Sequence, residues 1–282
     1  MTRLTTSDIQ GIPEGLPAYE SSLIEKTGCS LRQLACRAME VTEKDILESL
    51  ENTLVGVVPM TSGDGVLKGF CGTVAKIAGH IGCNAFATLG TDASGIAEAM
   101  EGKADILMVA DENRFVALDM QHRKVVDNAD ATGRGFVTGL HLMAGNLKDK
   151  KVLVLGCGPV GQCVVKALAK TGCRIAVYDI EPAAYDRLPG KFKNHPDVEI
   201  QFLTKLDPAL HQHELMVDAS PAGGFIRAGH IKPHTIISAP GMPLGLDRSA
   251  LTAIGNRLLH DPLQIGVATM LVGALARTFH ET

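Results

Sequence analysis

The sequence has no tryptophan, only 3 tyrosines, and no long run of apolar residues or of one charge. Its longest apolar stretch, near residues 267–276, is well short of the ~20 residues that a membrane-spanning helix needs. The first residues lack the apolar core of a secretion signal, so we expect a cytoplasmic protein. The net charge of −4 is spread along the chain. It therefore predicts neither nucleic-acid nor membrane binding.

The 7 cysteines are odd in number and form no C-x-x-C pair. This pattern argues against both a disulfide framework and a zinc site. We therefore expect small, buried, reduced thiols and no metal centre.

The length of 282 residues favours two domains, and the polar stretch 146–151 marks a boundary between them. We predict an N-terminal substrate domain over 1–147. Its residues 1–53 have helical periodicity, whereas short apolar runs at 54–59, 85–89 and 106–110 are typical of buried strands.

Helical patterns separate these strands, at 66–81 and at 94–102, and another follows at 133–145. Alternating strands and helices build a small parallel sheet. Residues 115–119 are a candidate for a further strand.

The second domain, 148–282, contains a glycine motif at the end of a buried strand. Its residues 152 to about 242 predict a Rossmann dinucleotide-binding fold. The final helix, about 264–280, is one that could pack back on the first domain. The predicted class is thus α/β, with a helical N-terminal region and a small parallel sheet followed by a Rossmann NAD-binding domain.

The motif reads Gly156-Cys157-Gly158-Pro159-Val160-Gly161 and passes directly into a helix. Gly156 allows the tight turn, Gly158 lets a pyrophosphate approach the backbone, and Gly161 lets the helix pack closely on the strand. The helix N-terminus offers N–H groups to the anion. The alternative is a structural glycine turn that binds nothing.

Asp179 closes the next strand, 18 residues after Gly161. A carboxylate at this point binds the ribose hydroxyls of NAD and repels the 2′-phosphate of NADP. The following residues offer no arginine to hold such a phosphate, so the sequence favours NAD.

Two later loops follow apolar strands and should reach the same edge of the sheet. Small residues and prolines there can border the ribose and nicotinamide, unless these are ordinary tight turns. The full predicted cofactor set is Gly156, Gly158, Pro159, Val160, Gly161, Asp179, Ala219, Ser220, Pro221, Ser238, Pro240 and Gly241.

Polar residues follow two strands of the first domain. The loop 61–65 can hold a substrate carboxylate or amine, or it can simply cap a helix. Asp111 follows the strand 106–110, where a carboxylate can pair with an ammonium group or move a proton; the alternative is a solvated loop. His211 and His213 resemble a chelating pair, but without a third ligand we interpret them as surface residues.

Several segments together resemble the pyrrolysine synthase (PylD) family. They are 57–65, 107–111, 132–133, 238–243 and 261–270, and they keep the family's order and spacing from about residue 54 to 271. Residues 1–53 match only in helical character and in Leu4.

The resemblance implies a substrate held between the two domains. It implies that NAD⁺ oxidises the terminal amine of lysine-Nε-(3R)-methyl-D-ornithine. Hydride leaves the carbon that bears the amine, ammonia is lost from the imine or its semialdehyde, and the ornithine α-amine closes the pyrroline ring. A neutral amine is needed, and Asp111 is the best candidate to accept its proton, because no lysine falls in these loops.

By the same resemblance, Ser62 and Asp111 match catalytic positions and Leu4 belongs to a short helix over the substrate. Asp64 and Asp261 stand where a relative has asparagine and glutamate. The implied substrate set is Leu4, Thr61, Ser62, Asp64, Asp111 and Asp261.

Two other functions stay open. One is another two-domain amino-acid or shikimate-type dehydrogenase, which would usually need a catalytic lysine in the first domain. Lys68 and Lys76 are the candidates, but both fall in a predicted helix. The other is an NAD-sensing module without turnover. Homo-oligomerisation is also open.

Overall fold

The computed structural model describes residues 4–63, 67–188, 198 and 200–276. Two sheets with helices around them make up the chain, which confirms the α/β class. The helices are α1 (Thr6–Ile9), α2 (Ile12–Thr27), α3 (Leu31–Ala38), α4 (Glu43–Asn52), α5 (Phe70–His80), α6 (Asp92–Glu101), α7 (Asn128–Met143), α8 (Pro159–Ala169), α9 (Leu206–Gln212), α10 (Arg248–Ile254) and α11 (Gln264–Leu275). The strands are β1 (Leu54–Val58), β2 (Asn84–Ala87), β3 (Ile106–Ala110), β4 (Phe115–Asp119), β5 (Lys124–Asp127), β6 (Lys151–Leu155), β7 (Arg174–Tyr178), β8 (Ile200–Leu203), β9 (Leu215–Asp218), β10 (Ile236–Ala239) and β11 (Leu258–His260).

The N-terminal region is helical, as its periodicity predicts. Helix α2 ends at Gly28, whose φ of 70° is the left-handed conformation that glycine adopts at little cost. Ser30 caps α3 by accepting a hydrogen bond from the Gln33 N–H, and Thr42 caps α4 in the same way.

The first sheet has the order β2-β1-β3-β4-β5. The three predicted strands β1, β2 and β3 are parallel, as expected. The sheet as a whole is mixed, however, because β4 and β5 form an antiparallel hairpin on β3. The sequence did not predict β5, since only two apolar residues, Val125 and Val126, lie within it.

Two helices of this region differ in extent from their predictions. Helix α5 begins at Phe70, after Gly69 at a φ of 89°. Helix α7 begins at Asn128, five residues earlier than predicted, because the Asp127 carboxylate accepts a hydrogen bond from the Ala129 N–H and starts the helix there.

The second sheet is parallel throughout, with the order β11-β10-β9-β6-β7-β8. Strand order reverses between β6 and β9, where doubly wound sheets bind ligands at the carboxyl ends of their strands. The predicted Rossmann architecture is confirmed. Its two edge strands, β8 and β11, were not predicted, because no residue of β8 is fully buried and β11 has only three residues.

Helix α11 leaves the second sheet and packs into the core of the first. Its buried residues Ile265 and Leu271 belong to the same cluster as Leu31 and Leu34 of α3. Helix α7 contributes to both cores, Phe136 to the first and Leu140 to the second. The two sheets therefore share α7, and the boundary at 147 stays a prediction.

All seven cysteines are free thiols, and six of them are buried, as expected. In the described part of the chain, no helix has the length and apolarity to cross a membrane.

Candidate functional site

The glycine motif forms the turn between β6 and α8. Gly156 adopts a φ of 94°, which favours glycine. A β-carbon on Gly161 would lie 2.0 Å from the Gly156 carbonyl oxygen, so the helix can approach the strand only if this residue is glycine. These two glycines perform the structural tasks that the motif predicts.

Gly158 differs from both, because a β-carbon there would meet no atom within 4 Å. Its φ of −66° is also ordinary for any residue. The fold therefore does not require glycine at this position. Gly158 precedes Pro159 at the start of α8, and no side chain caps this helix. The open space in front of a helix N-terminus fits the pyrophosphate of a dinucleotide.

Asp179 directly follows β7 and is half-buried beside the glycine turn. Its Oδ2 accepts a hydrogen bond of 2.6 Å from the Cys157 N–H, and its Oδ1 accepts one of 2.9 Å from the Glu181 N–H. The carboxylate is thus fixed at the edge of the cradle, where the ribose of a dinucleotide would lie.

The loops after β9 and β10 meet at the same edge, held by the buried carboxylate of Asp218. Its Oδ1 accepts hydrogen bonds from the Ser220 N–H and hydroxyl, and its Oδ2 accepts one from the Gly245 N–H. The Gly241 N–H donates to the Asp218 carbonyl at 2.8 Å. Sequence reasoning missed Asp218, which positions both predicted loops.

Burial raises the pKa of Asp218 to about 6, although the hydrogen bonds from Ser220 and Gly245 act in the opposite direction. The hydrogen bonds that hold these two loops therefore depend on the ionisation of a single carboxyl group with a pKa of about 6.

Ser238 does not lie at this edge, contrary to its predicted role in cofactor binding. It belongs to β10 itself rather than to the loop after it, and it is completely buried. Its hydroxyl donates a hydrogen bond of 2.8 Å to the Phe136 carbonyl of α7. Its role is to join the second sheet to the shared helix.

A cavity of about 360 Å³ separates the two sheets. One wall belongs to the glycine turn and the loops after β9 and β10. The other wall comes from the N-terminal residues, the β3–β4 turn, the start of α7 and the loop before α11. The lining residues are Leu4, Phe70, Asn113, Arg114, Phe115, Asp127, Asn128, Ala129, Thr132, Gly158, Pro159, Val160, Ala219, Pro221, Pro240, Met242, Pro262 and Leu263.

The cavity contains polar side chains that sequence reasoning did not select. Arg114 donates from Nε to Asp127 Oδ2 at 2.9 Å. Thr132 donates to Asn128 Oδ1 at 3.4 Å. The sequence does indicate Asp127, as an acid that could cap α7 after Val125 and Val126. It does not indicate the partner Arg114, because only the folded hairpin brings these two side chains together.

The predicted substrate residues are only partly brought together. Leu4 lines the cavity, whereas Thr61 and Ser62 lie outside its described lining. Thr61 is held by Asp92, which accepts from its N–H at 2.9 Å and from its hydroxyl at 2.8 Å. Asp64 lies outside the described residues.

The loop with Ser62 does contact the turn with Asp111. A β-carbon on Gly63 would lie 2.2 Å from the carbonyl carbon of Asp111, so the two backbones touch. This contact places two predicted catalytic residues, Ser62 and Asp111, on neighbouring segments beside the cavity.

Asp111 itself holds the β3–β4 turn. Its Oδ1 accepts hydrogen bonds from the Asn113 N–H at 2.7 Å and the Arg114 N–H at 2.8 Å. These bonds lower its pKa, with a smaller contribution from the Arg114 charge. A carboxylate with a lowered pKa is a poor proton acceptor, so the geometry favours attraction of an ammonium group over general base catalysis.

Asp261 is buried behind the cavity wall and is not among the residues that line it. Its Oδ1 accepts hydrogen bonds from the Leu263 and Ile265 N–H groups at the start of α11, and its Oδ2 accepts one from the Tyr19 hydroxyl. In this structure Asp261 positions Leu263 and Pro262, which line the cavity, and its contact with substrate stays a prediction.

His211 and His213 differ in burial. His211 is exposed, as expected, but His213 is buried, so the surface interpretation was wrong for it. His213 Nδ1 lies 2.8 Å from the Ala209 carbonyl one helical turn earlier.

His211 lies near Asp207 and His230, an arrangement with metal-binding potential. His230 Nδ1, however, accepts a hydrogen bond from the Arg227 N–H. Its proton is therefore on Nε2, which faces Asp207 at 3.1 Å, so the group forms hydrogen bonds instead of presenting free ligand atoms.

Two known families match different parts of the chain. Residues 8–126 match the family described as "Pyrrolysine biosynthesis protein PylD, N-terminal domain". Residues 140–233 match the family described as "Shikimate / quinate 5-dehydrogenase".

Two proteins named pyrrolysine synthase are similar over nearly the full chain. The protein from Methanosarcina acetivorans is 28% identical over 98% of this chain and 100% of its own length. The protein from Methanosarcina barkeri is 28% identical over 98% of each. The solved structure of quinate dehydrogenase from Corynebacterium glutamicum in complex with NAD superposes with a TM-score of 0.55, at 15% identity, over 79% of this chain and 92% of that one. At this identity the likeness concerns the fold alone.

Proposed function

Because this chain is a relative of the pyrrolysine synthases with a PylD-type N-terminal domain, we propose that it is an NAD-dependent dehydrogenase that forms pyrrolysine. Its substrate is lysine-Nε-(3R)-methyl-D-ornithine. The observation that carries this proposal is the shared cavity, which is lined both by Gly158 and Pro159 of the dinucleotide cradle and by Phe70 and Asn113 of the PylD-type unit.

The residues around the glycine turn fit NAD. The open space at Gly158 suits the pyrophosphate, and the fixed carboxylate of Asp179 suits the two ribose hydroxyls. Asp179 would meet a 2′-phosphate with like charge, which supports NAD over NADP. When bound, the nicotinamide supplies the hydride acceptor.

The protein's residues bind and orient the amine. Hydride leaves the carbon that bears the terminal amine, which gives an imine at that carbon. One water molecule hydrolyses this imine to the semialdehyde and releases ammonia. The ornithine α-amine then condenses with the aldehyde carbon, which closes the ring and releases water. Leu4, Phe70 and Phe115 supply apolar walls that limit water around the reacting carbon.

The carboxylate of Asp111 holds the turn that supplies Asn113 and Arg114 to the cavity wall, and it favours the ammonium groups of the substrate. Ser62, on the neighbouring loop, is a candidate hydrogen-bonding partner for the same end of the substrate. Both assignments come from the resemblance and from the contact between Gly63 and Asp111.

The cavity lining argues against a shikimate-type reaction. Among its described residues there is no lysine, and both Lys68 and Lys76 are exposed elsewhere. Lys68 lies in the turn before α5 rather than in a helix.

The test is incubation of the purified protein with NAD⁺ and the synthetic dipeptide. We expect NADH absorbance to rise and mass spectrometry to detect pyrrolysine in equal amount. Binding of NAD⁺ without NADH formation would instead favour a sensing module. Reduction of NAD⁺ by shikimate or quinate, but not by the dipeptide, would favour the shikimate-type alternative.

A further inference from the structure

Arg114 is the one cationic side chain among the described residues that line the cavity, and Asp127 is the one anionic side chain. The other lining residues are apolar, amide or hydroxyl side chains and glycine. A ligand carboxylate that enters this cavity therefore has one charged partner of opposite sign.

The guanidinium of Arg114 is only partly used within the protein. Its Nε donates to Asp127, but within the part of the chain that the structure describes its terminal nitrogens have no hydrogen-bond partner. The side chain of Arg114 is 59% exposed to solvent. Two terminal nitrogens in one plane match the two oxygens of a carboxylate, which lysine cannot reproduce.

Three hydrogen bonds hold this guanidinium in place. The Arg114 N–H donates to Asp111, which fixes the backbone. Asp127 fixes the side chain, and it is itself fixed because its Oδ1 accepts from the Ala129 N–H at the start of α7. A group held in this way before binding loses little freedom when a ligand arrives.

We propose that Arg114, oriented by Asp127, binds the α-carboxylate of the substrate's lysine moiety. This assignment rests on the proposed function, since the dipeptide has that single carboxylate. It places the lysine end of the substrate at the β3–β4 turn, where Asp111 can attract the α-ammonium group of the same lysine moiety. The amines of the ornithine end then face the remaining walls. Arg114 is then a substrate-binding residue, and Asp127 is a positioning residue.

The test compares Arg114→Gln with Arg123→Gln. Arg123 lies in the β4–β5 turn, at the opposite end of the same hairpin, and its substitution makes the same change in charge. For Arg114→Gln we expect KM for the dipeptide to rise by about tenfold to a hundredfold with kcat within a few-fold of wild type. Arg123→Gln should leave both constants unchanged. Arg114→Lys should recover only part of the loss.

A substrate whose carboxylate is converted to a carboxamide separates binding from a merely structural role. With this analogue, wild type and Arg114→Gln should have similar KM values, because the charged partner is missing in both cases. A structural role of Arg114 would raise KM equally for acid and carboxamide, and that result would overturn the assignment.

Direct binding of Nε-acetyl-L-lysine, measured calorimetrically in the presence of NAD⁺, tests the assignment without turnover. Wild type should bind this probe, and Arg114→Gln should bind it at least about tenfold more weakly. Equal binding to both proteins would reject the carboxylate site. Failure of the proposed function is a different result: wild type would bind the probe but form no NADH from the dipeptide.

Discussion

The hydroxyl of Tyr19 donates a hydrogen bond of 2.7 Å to Oδ2 of Asp261, across 242 positions of sequence. It joins α2 to the loop that precedes α11, and this loop supplies Pro262 and Leu263 to the cavity. Burial raises the pKa of Asp261, whereas the bond from Tyr19 lowers it. The pair therefore stabilises the ionised form of a carboxyl group that burial alone would disfavour.

We expect Tyr19→Phe to lower the free energy of unfolding by about 1.5–3 kcal/mol, because a buried carboxylate loses a hydrogen bond. Denaturant titration followed by circular dichroism measures this change. Tyr178→Phe is the control, since no partner of the Tyr178 hydroxyl is found among the described residues. Equal stability of Tyr19→Phe and wild type would show that the bond contributes nothing.

Gly158→Val should fold normally and fail to bind NAD. The added side chain meets no protein atom at its β-carbon, yet it occupies the space in front of α8. Thermal melting and calorimetric titration with NAD⁺ measure the two effects. Gly229→Val, also at an open position, should keep full affinity. Gly161→Ala should instead unfold at lower temperature, since its β-carbon would contact the Gly156 carbonyl. A folded Gly158→Val that binds NAD normally would remove this turn from the cofactor site.

Asp179→Ala should weaken NAD binding about tenfold or more, because charge-assisted hydrogen bonds to ribose are lost. Its affinity for NADP should not fall in parallel, since the like charge that opposes the 2′-phosphate is lost too. Calorimetric titration with both nucleotides measures the ratio. Asp186→Ala, an exposed carboxylate after β7, is the matched control. An unchanged preference for NAD in Asp179→Ala would contradict the assignment.

The sequence predicts the cofactor half of the site better than the substrate half. The glycine turn depends on local chemistry, so Gly156 and Gly161 have the roles that their spacing predicts. The prediction for Ser238 was wrong because the sequence pattern identifies the end of a strand but not the side of the sheet on which each side chain lies. Burial against α7 decides that direction.

The substrate half depends on contacts between distant segments. Asp261 follows a strand, as a ligand-binding acid would, but Tyr19 and the first turn of α11 use its oxygens. Arg114 gains its partner only when β4 and β5 pair, and β5 has only two apolar residues to indicate a strand. Such pairings are set by tertiary structure, which local periodicity does not encode.

The raised pKa of Asp218 predicts a pH-dependent stability. Its folded value is about 6 and its ordinary value is 3.8, so the folded state binds more protons between these limits. Stability from this group is fully present below about pH 4 and is lost as pH rises through 6. When the pH is lowered from 7 to 5, the free energy of unfolding of wild type should rise by about 1 kcal/mol relative to that of Asp218→Asn. Denaturant titrations at these pH values measure the difference, and a flat difference would contradict the raised pKa. Asp186→Asn should follow wild type.

Asp111→Asn distinguishes a general base from a carboxylate that attracts an ammonium group of the substrate. The asparagine oxygen can still accept the hydrogen bonds from Asn113 and Arg114, so the turn should keep its shape. The lowered pKa of Asp111 makes it a weak base at neutral pH. We therefore expect the loss of charge to raise KM for the dipeptide about tenfold or more while kcat stays within a few-fold of wild type.

Steady-state kinetics at saturating NAD⁺ measures both constants for Asp111→Asn. Asp119→Asn is the matched control, because Asp119 accepts equivalent turn hydrogen bonds from Gln121 and His122 at the opposite end of β4. It should leave both constants at wild-type values. A fall in kcat of about 10²–10⁴-fold in Asp111→Asn would instead identify Asp111 as the general base. Wild-type values for both constants would remove Asp111 from the site, and the neighbouring Arg114 would then remain as the charged group of this turn that contacts substrate.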